Sequence, residues 1–232
     1  MRLSVVLFHD VQDLWDQAAE KPFVVEMAKG TLDERRYRAY MIQDYLYLLD
    51  YVDMLGCMRG LADDSALKDF IDFVIEQTRG ETQRVHVPHM RRLGITDDDV
   101  ALCPKAPEIV AYVEYMLGRL REDGVLAGLT AQLQCSWVYA YLAQRATEAH
   151  GGEIPASPYK DWFDAYTSAE YLAANQQWID ILDERATSVQ GEEARRLSGI
   201  FRTCAEYENK LWDALYRPCA ATTGPGAARY DA

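Results

Sequence analysis

A cysteine at position 135 lies inside the run LTAQLQCSWVYAYLAQR, and Tyr139 follows it one helical turn later. A thiol is a strong nucleophile once ionised, yet a cysteine in a helix interior also packs as a small hydrophobe. The residues alone leave both readings open. No histidine and no obvious basic side chain lies near Cys135 in sequence, so any activator must come from elsewhere in the fold. In YMIQDYLYLLDYVDML, Asp44, Tyr47 and Tyr51 fall at i, i+3 and i+7 on one helical stripe. Asp44 is therefore either solvated or held in a polar pocket whose donors are phenols, because a buried carboxylate must be paired or hydrogen-bonded. Near the C-terminus, Glu208, Trp212 and Tyr216 recur at i, i+4 and i+8. A carboxyl enclosed by aromatic rings holds its proton above the usual range and can serve as a general acid; a solvated Glu208 is the plainer alternative. Tyr112 and Tyr115, three residues apart, fit either a core or a pocket rim.

Positioning these side chains requires helices, and helical spacing dominates the chain. Phe8, Val11, Leu14 and Trp15 share one face. A second helix is expected after Gly30, opened by a Thr31–Glu34 capping box and uninterrupted until Gly56. Further helices are expected near 64–79, 81–93, 106–122, 125–149, 157–166, 168–187 and 192–216. Thr96 with Asp97, Asp98 and Asp99 caps a short turn. Strand patterns, repeats and linkers are absent from the sequence, which predicts one all-α domain of long helices and short loops. That domain spans 1–220 and is followed by a small, polar, frayed tail at 221–232.

Composition narrows the function classes. The 232 residues are 49% hydrophobic and carry a formal net charge of −13. Such a chain can build a large core, and its acidity disfavours nucleic acid or an anionic membrane as partner. The N-terminal MRLSVVLFHD is too short for a signal segment, and no apolar run is long enough to span a membrane, so a cytoplasmic location is expected. The five cysteines, at 57, 103, 135, 204 and 219, show no paired spacing and fit free thiols in a reducing compartment.

Five ordered segments together resemble the TenA family (thiaminase II) of the haem-oxygenase-like helical fold, across roughly Phe8 to Tyr216. They are KPFVVEMAKGTLDERRYRAYMIQDYLYL, AYVEYML, LQCSWVYAYLAQR, SPYKDWFDAYTSAEY and YENKLWDALYR. The resemblance implies a single-domain helical bundle that hydrolyses an aminomethyl pyrimidine to the hydroxymethyl pyrimidine of thiamin salvage and that can also cleave thiamin. It implies Cys135 as nucleophile and Glu208 as acid, with Asp44 hydrogen-bonding the aminopyrimidine and Tyr47 stacking on it. Tyr112, Tyr139 and Tyr166 would line the pocket and orient the thiol. No metal or organic cofactor is implied. The expected partners are a small aminopyrimidine or thiamin and further copies of the chain, commonly as a homotetramer.

One segment departs from the family pattern. In GETQRVHVPHMRRLGI, Glu81 precedes His86 by five residues rather than four, and Pro88 is expected to kink the helix. His86 and His89 therefore read as structural residues near a helix end. Two rivals remain. A di-iron carboxylate oxidase of the same fold needs several inward carboxylates and histidines, whereas the chain has only four histidines and no Glu-x-x-His pair. A non-catalytic pyrimidine-binding or regulatory protein would have no use for a thiol.

Overall fold

In a computed structural model, residues 2–217 are described, apart from the side chains of Glu81, Arg84 and Val85. Cys219 and the tail expected at 221–232 lie outside the described residues. Among the described residues the elements are helical throughout, with no strand. In chain order they are α1 Leu3–Ala19, α2 Pro22–Lys29, α3 Glu34–Leu61, α4 Ser65–Glu81, a π turn Thr82–His86, α5 Val87–Arg92, α6 Asp97–Leu102, α7 Pro107–Asp123, α8 Val125–His150, a 3-10 turn Ile154–Ala156, α9 Lys160–Thr167, α10 Ala169–Arg185 and α11 Gly191–Tyr216.

Helix α8 runs through the middle of the bundle and packs against α7, α11, α10, α9, α1, α2 and α3. Its small residues permit this. Ala127, Gly128, Ala131, Ala140 and Ala143 are all buried, and a Cβ on Gly128 would meet Leu120 Cδ1 at 2.6 Å. Large side chains fill the layers around it: Trp15, Phe23, Phe163, Phe201 and Trp212 are almost wholly buried. Burying a side chain of this class contributes about 1.5–3 kcal/mol. Val11 and Trp15 of α1 point into the core as their spacing predicts, with Phe8 and Leu14 at its edge.

Three local expectations need correction. First, α3 does not start on a Thr31 capping box. Asp33 is the N-cap, and its side chain accepts from the Arg35 amide at 2.8 Å. Thr31 instead belongs to the end of α2, a helix the sequence reading did not separate. There Gly30 at φ 71° closes the turn and the Thr31 amide donates to Glu26 O at 2.8 Å. Secondly, α3 passes through Gly56 and ends at Leu61, because an exposed glycine inside a packed helix costs only about 1 kcal/mol. Thirdly, the helix expected at 81–93 is divided. Pro88 lacks an N–H and its ring crowds the carbonyl four residues earlier; the five-residue π turn Thr82–His86 lies just ahead of it. The Thr96 cap appears as expected, as a reciprocal box with Asp99.

Candidate active site

Helices α3, α7, α8 and α11 converge around a narrow cavity. Its lining comprises Tyr40, Gln43, Asp44 and Tyr47 from α3, Ile109 and Tyr112 from α7, Tyr139 from α8, and Glu208, Leu211 and Leu215 from α11. The spacing explains the assembly: 40, 43, 44 and 47, or 208, 211 and 215, are successive positions on one helical face. Among the described residues, lysine and arginine are absent from this lining. Both of its ionisable acids are buried, with Asp44 9% exposed and Glu208 2%.

Cys135, 7% exposed, sits on α8 beside this cavity rather than among its lining residues. Its sulfur interacts with the Tyr47 hydroxyl and the Glu208 carboxyl. Tyr47 Oη has no other hydrogen-bond partner among the described residues. Burial, then the negative charge of Glu208, pushes the Cys135 thiol well above its ordinary value, while Tyr47 pulls it down. The thiol is therefore neutral at rest.

Burial is also the largest influence on Glu208 and lifts its carboxyl to about 8. The charge of Asp44 adds to the rise, and contacts with Cys135 and Tyr112 oppose it. Glu208 Oε2 is enclosed without a hydrogen-bond partner. A carboxyl in this setting is protonated at neutral pH, which suits a proton donor. The solvated reading of Glu208 is excluded by its burial, and Asp44 likewise faces a pocket rather than solvent.

The region around the π turn borders the cavity face of α3. His86 Nε2 lies 3.2 Å from Asp44 Oδ2, so the histidine abuts a candidate binding residue. A π turn holds one residue more than an α turn, and it falls in the segment where the family spacing is one residue too long. His89, in contrast, packs its ring on Tyr37 at 6.0 Å, and burial lowers its proton affinity.

The tyrosines take different places. Tyr112 and Tyr139 line the cavity, whereas Tyr166 stands behind it, its ring 5.0 Å from that of Tyr139. Tyr47, expected to stack on substrate, lies parallel to Tyr112 at 6.4 Å. Sequence reasoning missed Tyr40, Gln43 and Gln134. The Tyr40 hydroxyl accepts from Trp162 Nε1 at 3.0 Å. Gln43 bonds Pro104 O at 2.9 Å and the Ala106 amide at 2.8 Å, pinning the loop before α7. Gln134 accepts from the Tyr112 hydroxyl at 2.7 Å. The available signal was an amide set among small and apolar residues, next to Cys135. Cys204, buried one turn before Glu208, also contacts Tyr112. Among the described residues, no three His, Cys, Asp or Glu side chains gather into a group that could hold a metal ion.

The model of the TENA/THI-4/PQQC family matches residues 8–218. This chain belongs to that family. Aminopyrimidine aminohydrolase of Helicobacter pylori is 29% identical over 220 residues, covering 94% of this chain and 100% of the relative. The protein of the same name from Halalkalibacterium halodurans is 28% identical, covering 93% and 96%. Among solved structures, a TenA homologue from P. horikoshii OT3 superposes with a TM-score of 0.79 at 26% identity, over 93% of this chain and 99% of that one. A protein described as a TenA family transcription regulator, from Silicibacter sp. TM1040, reaches 0.86 at 20% identity, over 94% and 97%; at that identity it speaks for the fold alone. The TenA-family bundle inferred from the five sequence segments is therefore the observed fold. No described helix is long and apolar enough to cross a membrane.

Proposed function

We propose that this TenA-family chain is an aminopyrimidine aminohydrolase acting in thiamin salvage, with Cys135 as nucleophile and Glu208 as proton donor. The observation that carries the reading is the enclosed thiol–carboxyl pair: a neutral Cys135 in contact with a Glu208 that holds its proton to about 8. The two named relatives that match almost end to end support the same substrate class.

The reaction replaces an amine by water at an exocyclic methylene, and direct displacement there is slow. Sulfur addition to the electron-poor ring forms a C–S bond and breaks aromaticity. The ring electrons then expel the protonated amine as ammonia. Water adds to the methylene, the C–S bond breaks, and the hydroxymethyl pyrimidine leaves with the thiol restored. Asp44 holds the ring amino group; as sulfur adds, Glu208 passes its proton to the ring and takes up the thiol proton in return, while Tyr47 donates to the sulfur as it gains charge. The rings of Tyr112 and Tyr139 restrict the pyrimidine to one plane. An aminomethyl group is cationic at neutral pH. In a cavity with two acids and, among the described residues, no lysine or arginine in its lining, that cation enters favourably and lowers the cost of forming the thiolate.

The assembly is read as a homotetramer and the location as cytoplasmic; light scattering during gel filtration tests the first. The activity is tested by ammonia release from the aminomethyl pyrimidine, compared with thiazole release from thiamin. Release of ammonia with a higher kcat/KM than thiamin cleavage supports the salvage reading. Pyrimidine binding without turnover of either compound overturns it in favour of a binding protein.

A further inference from the structure

The cavity is shut. None of its ten lining residues is more than 9% exposed, so a pyrimidine reaches Cys135 only after a wall gives way. The walls are held differently. Helix α8 is packed on all sides and cannot move alone. On the π-turn side, His86 lies against Asp44. The remaining wall is the seam where the first turn of α7, carrying Ile109, meets the last turn of α11, carrying Leu211 and Leu215. Beyond Trp212, polar ties hold that last turn. Lys21 Nζ donates to the Asp213 carboxylate at 2.7 Å. The Tyr216 hydroxyl donates to Glu26 Oε1 at 2.6 Å, with the Arg36 guanidinium 4.1 Å above the Tyr216 ring. Arg217 Nη1 lies 3.5 Å from Glu108 Oε1.

The Glu108–Arg217 pair has a distinctive position. Glu108 immediately precedes Ile109, and Arg217 follows Leu215 by two residues. Their side chains are 22% and 67% exposed, whereas Ile109 and Leu215 are 1% and 8% exposed. The ion pair therefore bridges the seam on its outer side, above the apolar contact that seals the cavity. Exposed ion pairs are weak, so such a tie closes a seam without fixing it shut.

We infer that the seam between the start of α7 and the end of α11 is the portal to the cavity, latched by Glu108 and Arg217, and that Glu108 is the carboxylate which first meets the cationic aminomethyl group as the portal opens. When the pair parts, Glu108 is left unneutralised at the mouth, and an ammonium group can take the place of the guanidinium. A carboxylate at an entrance raises the local concentration of a cation and speeds its arrival. The role of Glu108 towards the aminomethyl group rests on the proposed substrate; the portal does not.

The test uses the thiols of the intact chain and needs no pyrimidine. Neutral methyl methanethiosulfonate and its cationic aminoethyl analogue are applied at neutral pH, and labelling of each cysteine is followed by peptide mass spectrometry. Cys135 reports entry into the cavity, exposed Cys57 reports the reagent, and Cys204, 0% exposed on α11, reports general unfolding. Arg217→Ala should speed Cys135 labelling by both reagents about two- to fivefold, with Cys57 and Cys204 unchanged. Glu108→Gln breaks the same latch but removes the carboxylate. It should speed the neutral reagent alike, while the ratio of cationic to neutral rates falls about twofold or more below that of Arg217→Ala. Arg59→Ala, which removes an exposed ion pair with Asp72 between α3 and α4, should alter neither rate. Unchanged Cys135 labelling in both latch variants, a parallel rise at Cys204, or acceleration in His86→Ala alone overturns the portal. An equal ratio in Glu108→Gln and Arg217→Ala overturns the role of Glu108. A chain that labels as expected but neither binds nor hydrolyses pyrimidine keeps the portal and loses the proposed reaction. Hydrolysis of the aminomethyl pyrimidine with unaltered labelling keeps the reaction and loses the portal.

Discussion

The imidazole of His86 stands 3.2 Å from the carboxylate of Asp44, joining the segment just before Pro88 to the cavity face of α3. Asp44 is the proposed anchor for the aminopyrimidine, and we propose that His86 fixes the orientation of this group rather than taking part in bond making. His86→Ala should raise KM roughly tenfold while kcat changes less than threefold, the pattern expected when ground-state and transition-state binding fall together. Steady-state kinetics on the aminomethyl pyrimidine checks it, and a loss confined to kcat would place His86 in the chemistry.

Cys135→Ser should keep the fold and bind pyrimidine normally but lose turnover by about a thousandfold or more, since a hydroxyl is a far poorer nucleophile than sulfur at neutral pH. Calorimetric binding together with ammonia release measures both quantities. Near-normal rates would exclude the covalent route.

Glu208→Gln should lower kcat more than affinity. The wild-type rate should decline as pH rises through about 8, where Glu208 loses its proton, and the variant should lack that limb. A change seen only in affinity would assign Glu208 to binding.

The same carboxyl affects stability. Its folded-state proton affinity exceeds that of the unfolded chain, so its contribution is complete below about 4.5 and is lost as pH rises to about 8. Across that window wild type should lose stability on the order of 4 kcal/mol relative to Glu208→Gln. Urea unfolding of both proteins at pH 5 and pH 8.5 would reveal the difference, and parallel curves would contradict the burial argument.

Gln43 holds the loop ahead of α7 through Pro104 O and the Ala106 amide. Gln43→Ala leaves those backbone groups without their partner, which costs about 1–3 kcal/mol. Because α7 carries Ile109 and Tyr112 into the cavity, KM should rise as well. Chemical denaturation and kinetics on one preparation test the link, and unchanged stability would refute it.

Much of the fold was legible because helical periodicity is a local property. Spacing alone identified the long helices α3, α7, α8, α10 and α11 to within a few residues, and Thr96 declared its cap through Asp99. Boundaries failed where two local signals competed. The cap was expected on Thr31, but the αL turn at Gly30 draws Thr31 into the end of α2 and Asp33 caps α3 instead.

For the candidate site, the sequence determined which side chains share a face: Asp44 with Tyr47, and Cys135 with Tyr139. It also showed that no basic residue near Cys135 could activate the thiol. Only the tertiary structure decided that α11 brings Glu208 against Cys135, that the π turn brings His86 to Asp44, and that Tyr112 points its proton at Gln134. The reason is physical. A helix fixes the direction of its own side chains over a few residues, whereas proton affinity and hydrogen-bond direction depend on burial and on partners that distant segments supply.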